Sequence, residues 1–163
     1  VGSLLPNLSA TDKVAVEVAN SVLSSRLGLN LREKQGLAYS VASAVRWDKE
    51  FGWFYAYMGT SPQNFDVARE GILNEIKKLQ TESVSEAELE KAKNDLRGSL
   101  LMSRLSSVNQ AFYMSVNEYL GLGYQWDQGF LSNLAKVTAE KIRLAFQNWM
   151  DAEHYVLATA GKR

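Results

Sequence analysis

Arg32 and Tyr39 stand seven positions apart in the run Leu31-Arg32-Glu33-Lys34-Gln35-Gly36-Leu37-Ala38-Tyr39-Ser40. Residues before Gly36 carry a helical pattern and those after it a strand pattern, so a helix end feeds a strand start. Glycine suits the left-handed cap that such a junction needs. The turn can aim a guanidinium and a phenol at one point, where they would grip a peptide carbonyl or carboxylate. On spacing alone a plainer reading stands beside this one: Arg32 as a solvated helix residue and Tyr39 packed at the edge of a sheet. Other chemistry is sparse. There is no cysteine, which excludes disulfides, thiolate metal sites and cysteine nucleophiles. The single histidine, His154, has one acid beside it, Glu153. Neighbours on an extended segment face opposite ways, so His154 reads as a surface histidine rather than a zinc ligand. No metal site can be written anywhere in the chain. No G-x-S-x-G elbow occurs, and Gly121-Leu122-Gly123 lacks the spacing of a dinucleotide fingerprint and reads as a helix break. Glu86, Glu88, Glu90, Lys91 and Lys93 read as a solvated helix face with supporting ion pairs.

The elements that must carry this pair follow from caps and periodicity. Ser9 caps a first helix with Asp12 in its opening turn. Val14, Val18 and Val22, with Ala15 and Ala19, give it a small apolar face to about Arg26. A second short helix, about Leu29–Lys34, stops at Gly36. Ala38–Trp47 and Phe51–Thr60 are rich in strand formers and flank Asp48-Lys49-Glu50, which predicts an antiparallel hairpin. Phe51, Trp53, Tyr55 and Tyr57 share one face of the second strand; Gly52, Phe54, Ala56 and Met58 share the other. The aromatic stripe could line a substrate chamber, extend a peptide-binding edge or stack bases, but its commoner use is a face packed under helices. Ser61-Pro62 starts a helix bearing Phe65, Ala68, Ile72, Ile76 and Leu79. Ser85-x-x-Glu88 is a capping box before a long helix from Glu86 to about Leu105. Helices are expected near Val108–Leu120 and Trp126–Ala135, and a last one runs from the Thr138 cap to about Met150. Tyr155–Ala160 is expected as a final strand, and a further strand at or just before Val1 would complete the sheet. Strands and helices do not alternate, so the expected class is α+β: a mostly antiparallel sheet covered by helices.

The chain has 163 residues, 46% hydrophobic and 22% charged, values that suit one domain with a real core. Eighteen basic residues balance eighteen acidic ones, leaving no electrostatic footprint for nucleic acid. No apolar run reaches the roughly 18–20 residues of a membrane helix. The start, Val1-Gly2-Ser3-Leu4-Leu5, has neither an initiator methionine nor the pattern of a signal peptide. Residues 1–163 therefore read as one domain cut from a longer polypeptide.

Several segments in order resemble the C-terminal-type domain of M16 (pitrilysin-like, mitochondrial-processing-peptidase-like) zinc metallopeptidases. Asp12 matches an aspartate at the start of the first helix. Ser25-Arg26-Leu27 followed by Leu31-Arg32-Glu33-Lys34-x-Gly36-Leu37-Ala38-Tyr39 resembles the SRL…LREKxGLAY pattern. Gly52 with its aromatic run, Thr60-x-Pro62-x-Asn64, Val84-Ser85-x-x-Glu88-Leu89-x-x-Ala92-Lys93 and Val137-Thr138-Ala139-Glu140-Lys141-Ile142 resemble later segments. Where the family often has a glycine pair before SRL, this chain has Val22-Leu23-Ser24. The stretch before Arg32 is therefore expected to be shorter or differently shaped.

The resemblance implies a division of labour. M16 peptidases bind zinc through His-x-x-Glu-His and a distal glutamate, which this chain cannot supply, so zinc is expected in a partner domain of the N-terminal type, fused or separate. This chain would close the chamber over it and orient peptide. Arg32 would hold a substrate carbonyl or carboxylate, and Tyr39 would donate its hydroxyl to the oxyanion on the attacked carbonyl. The whole enzyme would be a metalloendopeptidase and this part alone inactive. A rival reading is an inactive M16-like scaffold or assembly subunit, and a second is an unrelated RNA-binding module. Association with related bacterial proteins points to the periplasm or cell envelope.

Overall fold

The computed structural model describes residues 1–150 and 152–161. Its elements are β1 (Gly2–Pro6), α1 (Ala10–Leu27), a π-helical turn (Gly28–Lys34), β2 (Ser40–Trp47), β3 (Phe51–Gly59), a 3-10 turn (Pro62–Asn64), α2 (Phe65–Thr81), α3 (Glu86–Ser103), α4 (Ser107–Tyr119), α5 (Trp126–Ala135) and α6 (Ala139–Trp149). The three strands form one antiparallel sheet in the order β1-β3-β2, giving the α+β class read from the sequence. No helix among the described residues is long and apolar enough to cross a membrane.

The hydrophobic pattern dictates which helix is central. Val14, Val18, Ala19, Val22 and Leu23 of α1 are buried, and α1 packs against β2, α2, α3, α5 and α6. Small β-branched residues let five neighbours approach one helix. Ile72, Ile76 and Leu79 of α2 and Ile142 and Phe146 of α6 close the core around it. At the seam with the sheet, the Ser43 hydroxyl donates to the Asn20 carbonyl at 3.3 Å and the Ser43 N–H donates to Ser24 Oγ at 3.3 Å, so these part-buried polar groups are met.

The sheet buries one face only. Val41, Val45, Phe54 and Ala56 point into the core, with Val45 opposite Phe54 in the ladder. Gly52 lies opposite Trp47, and a Cβ there would stand 2.5 Å from the indole, so glycine lets Trp47 fold across the strand. The indole N–H donates to Glu17 Oε1 at 2.8 Å. Glu17 is half-buried as a residue, yet burial of its carboxyl pushes the pKa up to about 7 against the pull of the Trp47 bond and of Arg46. The aromatic stripe is not packed under helices, contrary to the commoner expectation. Phe51, Trp53 and Tyr57 are exposed on the outer face, beside Leu4 of β1.

Two strand expectations shift. The completing strand lies at residues 2–6 rather than at or before Val1, pairing Gly2 with Tyr55 and Pro6 with Phe51. The segment 155–160 forms no strand; it makes a single bridge, Gly2 with Val156, through bonds of 3.0 and 2.8 Å.

Helix ends follow the caps. Ser9, Ser106 and Thr138 each accept an N–H in the first turn of the helix they open, and Ser85 with Glu88 forms the full capping box. Glu88 also receives Arg26 from the last turn of α1 in a two-pronged pair, Nε to Oε1 at 2.7 Å and Nη2 to Oε2 at 3.1 Å. The Arg26 bonds, aided by the Ser85 contacts, hold the Glu88 carboxyl down from 4.5 to about 2. A depressed carboxylate contributes stability above its unfolded value and loses it as pH falls through the folded one. Glu88→Gln is expected to lower stability at neutral pH by about 1 kcal/mol, given the exposure of the pair. In urea titrations the gap between variant and wild type should close as pH drops from 4.5 towards 2.

Candidate functional site

No loop separates α1 from the segment that carries Arg32. Gly28 keeps helical torsions, φ −58° and ψ −51°, and the chain runs straight into the π-helical turn. The expected break near Arg26 is therefore absent. Leu31 anchors the turn in the core at 1% exposure, which leaves its neighbour Arg32 outward. Gly36 then reverses the chain at φ +63°. Two nested bonds close the end: Gly36 N–H to the Arg32 carbonyl at 3.1 Å and Leu37 N–H to the Leu31 carbonyl at 2.9 Å. Each spans one residue more than in the usual α-helical glycine cap, because the π turn is one residue wider.

The link to the sheet is tied from β3. Thr60 Oγ1 donates to the Leu37 carbonyl at 2.6 Å, and the Tyr39 N–H donates to the Gly59 carbonyl at 3.1 Å. Leu37 and Ala38 pack against the core. Backbone geometry at residues 31–40 is thus fixed at both ends while the side chains at 32 and 39 project. Tyr39 is 96% exposed and does not pack at the sheet edge. The Arg32 side chain is 48% exposed and, among the described residues, its hydrogen-bond partner is its neighbour, Glu33 Oε1, at 3.2 Å. The two side chains are not bonded to each other, and neither lines the groove of about 400 Å³ between the π turn and α2. An exposed fork and an exposed phenol on a stiff turn are free to meet a ligand presented from outside.

His154 lies in an exposed bend. Among the described residues no group of three or more His, Asp or Glu could hold a metal ion. Sequence reasoning placed Thr60 at the end of a strand but gave its hydroxyl, which ties the strand end to Leu37, no role. It passed over Glu75, a charged residue inside the apolar pattern of α2 that is only 3% exposed.

The family model described as the peptidase M16 inactive domain matches residues 1–96. This chain belongs to that family. The M16 domain is 32% identical over 146 residues to the uncharacterized zinc protease YmxG of Bacillus subtilis, covering 86% of this chain and 35% of that protein. It is 36% identical over 100 residues to an uncharacterized zinc protease of Rickettsia felis, covering 61% of this chain and 24% of that protein. The chain thus spans about a third or less of the length of these relatives. Among solved structures it resembles the peptidase M16 inactive domain from Pseudomonas fluorescens, with a TM-score of 0.79 and 21% identity over 93% of this chain and 39% of that one. A protease from Helicobacter pylori superposes with a TM-score of 0.76 at 18% identity, over 93% of this chain and 38% of that one. At these identities the structures speak for the fold.

The two glycines that bracket the π turn give opposite expectations. Gly36→Ala should cost about 1–2 kcal/mol, because an L side chain is strained in the left-handed region. Gly28→Ala, at helical torsions with no atom beyond its own stretch of helix within 4 Å of the new methyl, should stabilise by up to about 1 kcal/mol. Chemical denaturation of the two variants checks both signs.

Proposed function

We propose that this domain is the non-zinc half of an M16-type zinc metallopeptidase, residues 1–163 forming one C-terminal-type domain of a longer protein. Its companion is a domain of the N-terminal type carrying the zinc motif, in the same chain or as a separate subunit. The relatives named as zinc proteases are about three to four times as long as the part matched here, which supports a companion. In this reading the two halves enclose a chamber, and the other half would hold a zinc ion that would supply activation of water for attack on the peptide bond. The present half supplies Arg32 to hold a substrate carbonyl or carboxylate and Tyr39 to donate a hydrogen bond to the oxyanion. The observation that carries the reading is the outward projection of both side chains, Tyr39 at 96% exposure, from a turn whose backbone is bonded at each end. The uncovered aromatic face of β3 supports a chamber wall, since apolar rings at a sheet surface suit an unfolded peptide.

Transition-state hydrogen bonds of this kind are worth roughly 10²–10³ in turnover. In the complete enzyme Tyr39→Phe should lower kcat by about that factor, and Arg32→Ala should lower kcat/KM by tenfold or more. Both positions are exposed, so unfolding midpoints should stay within about 0.5 kcal/mol of wild type. Wild-type turnover in both variants would remove the gripping role. Metal analysis of the purified 163-residue chain should find zinc far below one per chain, and stoichiometric zinc would contradict the assignment of the metal to the companion.

A further inference from the structure

The groove between the π turn and α2 is lined by the apolar Leu31 and Val67 and by the buried acid Glu75. Gly71 of α2 lets Leu31 lie close, since a Cβ there would stand 2.8 Å from Leu31 Cδ2. Glu75 is 3% exposed. Its Oε1 accepts from Lys78 Nζ at 2.9 Å, while its Oε2 is buried with no hydrogen-bond partner. A buried carboxylate oxygen without a donor is unfavourable, and a second charge-assisted bond there would be strong. The rim adds Asp66 and Glu70, so the lining holds three carboxylates against one ammonium. Arg69, outside the groove, contacts both rim acids, at 3.6 and 3.0 Å, which leaves Glu75 as the acid whose bonding is incomplete.

That chemistry calls for a cation on an apolar stem. A bare metal ion is a poor fit, because among the described residues no group of three or more His, Asp or Glu could hold one. A lysine or arginine side chain matches better: its methylenes lie along apolar walls while the head reaches the acid. Arginine suits best, since a planar fork offers two parallel donors and Glu75 has two oxygens, one of them unmet. Oε2 is shut from water, so an incoming head must displace a side chain. Lys78 lines the groove, its side chain is 49% exposed and it donates to Glu75 Oε1, so its departure to solvent frees that oxygen and opens a way to the carboxylate.

We propose that this groove binds an arginine side chain of a peptide, whose guanidinium takes both oxygens of Glu75 as Lys78 swings out to solvent. Lys78 is then an internal competitor that satisfies half of the acid when no ligand is present. The site is separate from Arg32 and Tyr39. It needs neither zinc nor turnover, so it stands or falls independently of the clamp.

The test is a titration of the 163-residue chain with N-acetyl-arginine amide and with N-acetyl-citrulline amide, a neutral side chain of nearly the same shape. Backbone amide resonances of Gln35, Gly71 and Asn74 report the groove. Arginine amide should shift them saturably, and citrulline amide should bind about tenfold more weakly or less, as expected when a charge-assisted bond is lost. Glu75→Gln should weaken arginine binding by a similar factor, whereas Lys78→Ala should tighten it. Equal binding of the two probes, or shifts that bypass the groove residues, would overturn the proposal. If Glu75→Gln does not fold, the comparison of the two probes on the wild-type chain decides.

Discussion

Burial of Leu31 at the far end of an unbroken helix is the constraint on which the rest of the molecule turns. α1 occupies the centre of the core, so its direction is set by packing on every side. Because Gly28 stays helical, that direction carries through the π turn, and Leu31 continues the buried row of Leu23 and Leu27. With Leu31 held inside, Arg32 faces out, and the nested bonds to Gly36 and Leu37 decide where the chain re-enters the sheet. The Arg26–Glu88 pair adds a lateral tie, fastening the last turn of α1 to the first turn of α3 just before the π turn begins. Position is thus passed from a rigid core to two exposed side chains through backbone alone.

The sheet divides its two faces between stability and surface. Inward residues on β2 and β3 are aliphatic or small, apart from Phe54 and Trp47, and β2 lies against α1. Outward residues on β3 from Phe51 to Tyr57 are large aromatics, and Phe51, Trp53 and Tyr57 are exposed. One chain segment therefore gives half its side chains to the core and half to whatever lies outside. Apolar rings left uncovered on a sheet mark a place where another molecule is met.

Much of this was legible in the chain. Ser9, the Ser85–Glu88 box and Thr138 announced three helix starts, and each cap bond is present. Gly36 announced a left-handed stop and has it. The alternation in β3 separated its faces correctly, but the aromatic face was expected under helices and it is the Phe54 face that is buried, an error that arose because both faces are apolar. The ladder settles it: Val41 and Val45 of β2 sit opposite Met58 and Phe54, so the β-branched face of β2 takes the Phe54 face inward with it. The π turn was hidden because Gly28 reads as a helix breaker, and only the packing of Leu31 shows that the helix continues. The missing last strand was hidden for another reason. Tyr155–Ala160 has strand-forming residues at its start, but strand formation needs a partner edge in register, and β1 offers one rung. The roles of Arg32 and Tyr39 came from the resemblance rather than from their spacing, and the fold adds only that both are held outward.

A zinc-protease relative about three times the length of the matched part, and the lack among the described residues of any group of three or more His, Asp or Glu able to hold a metal, are consistent with the proposed arrangement of chemistry in one half and substrate orientation in the other. The most direct test is a crystal structure of the complete enzyme with a phosphonamidate peptide, whose tetrahedral phosphorus stands in for the attacked carbonyl carbon. The account predicts Tyr39 Oη at about 3 Å from a phosphoryl oxygen and the Arg32 guanidinium on a neighbouring carbonyl or carboxylate of the same peptide. A bound peptide that leaves both side chains in solvent, with the oxyanion held wholly by the zinc half, would contradict it.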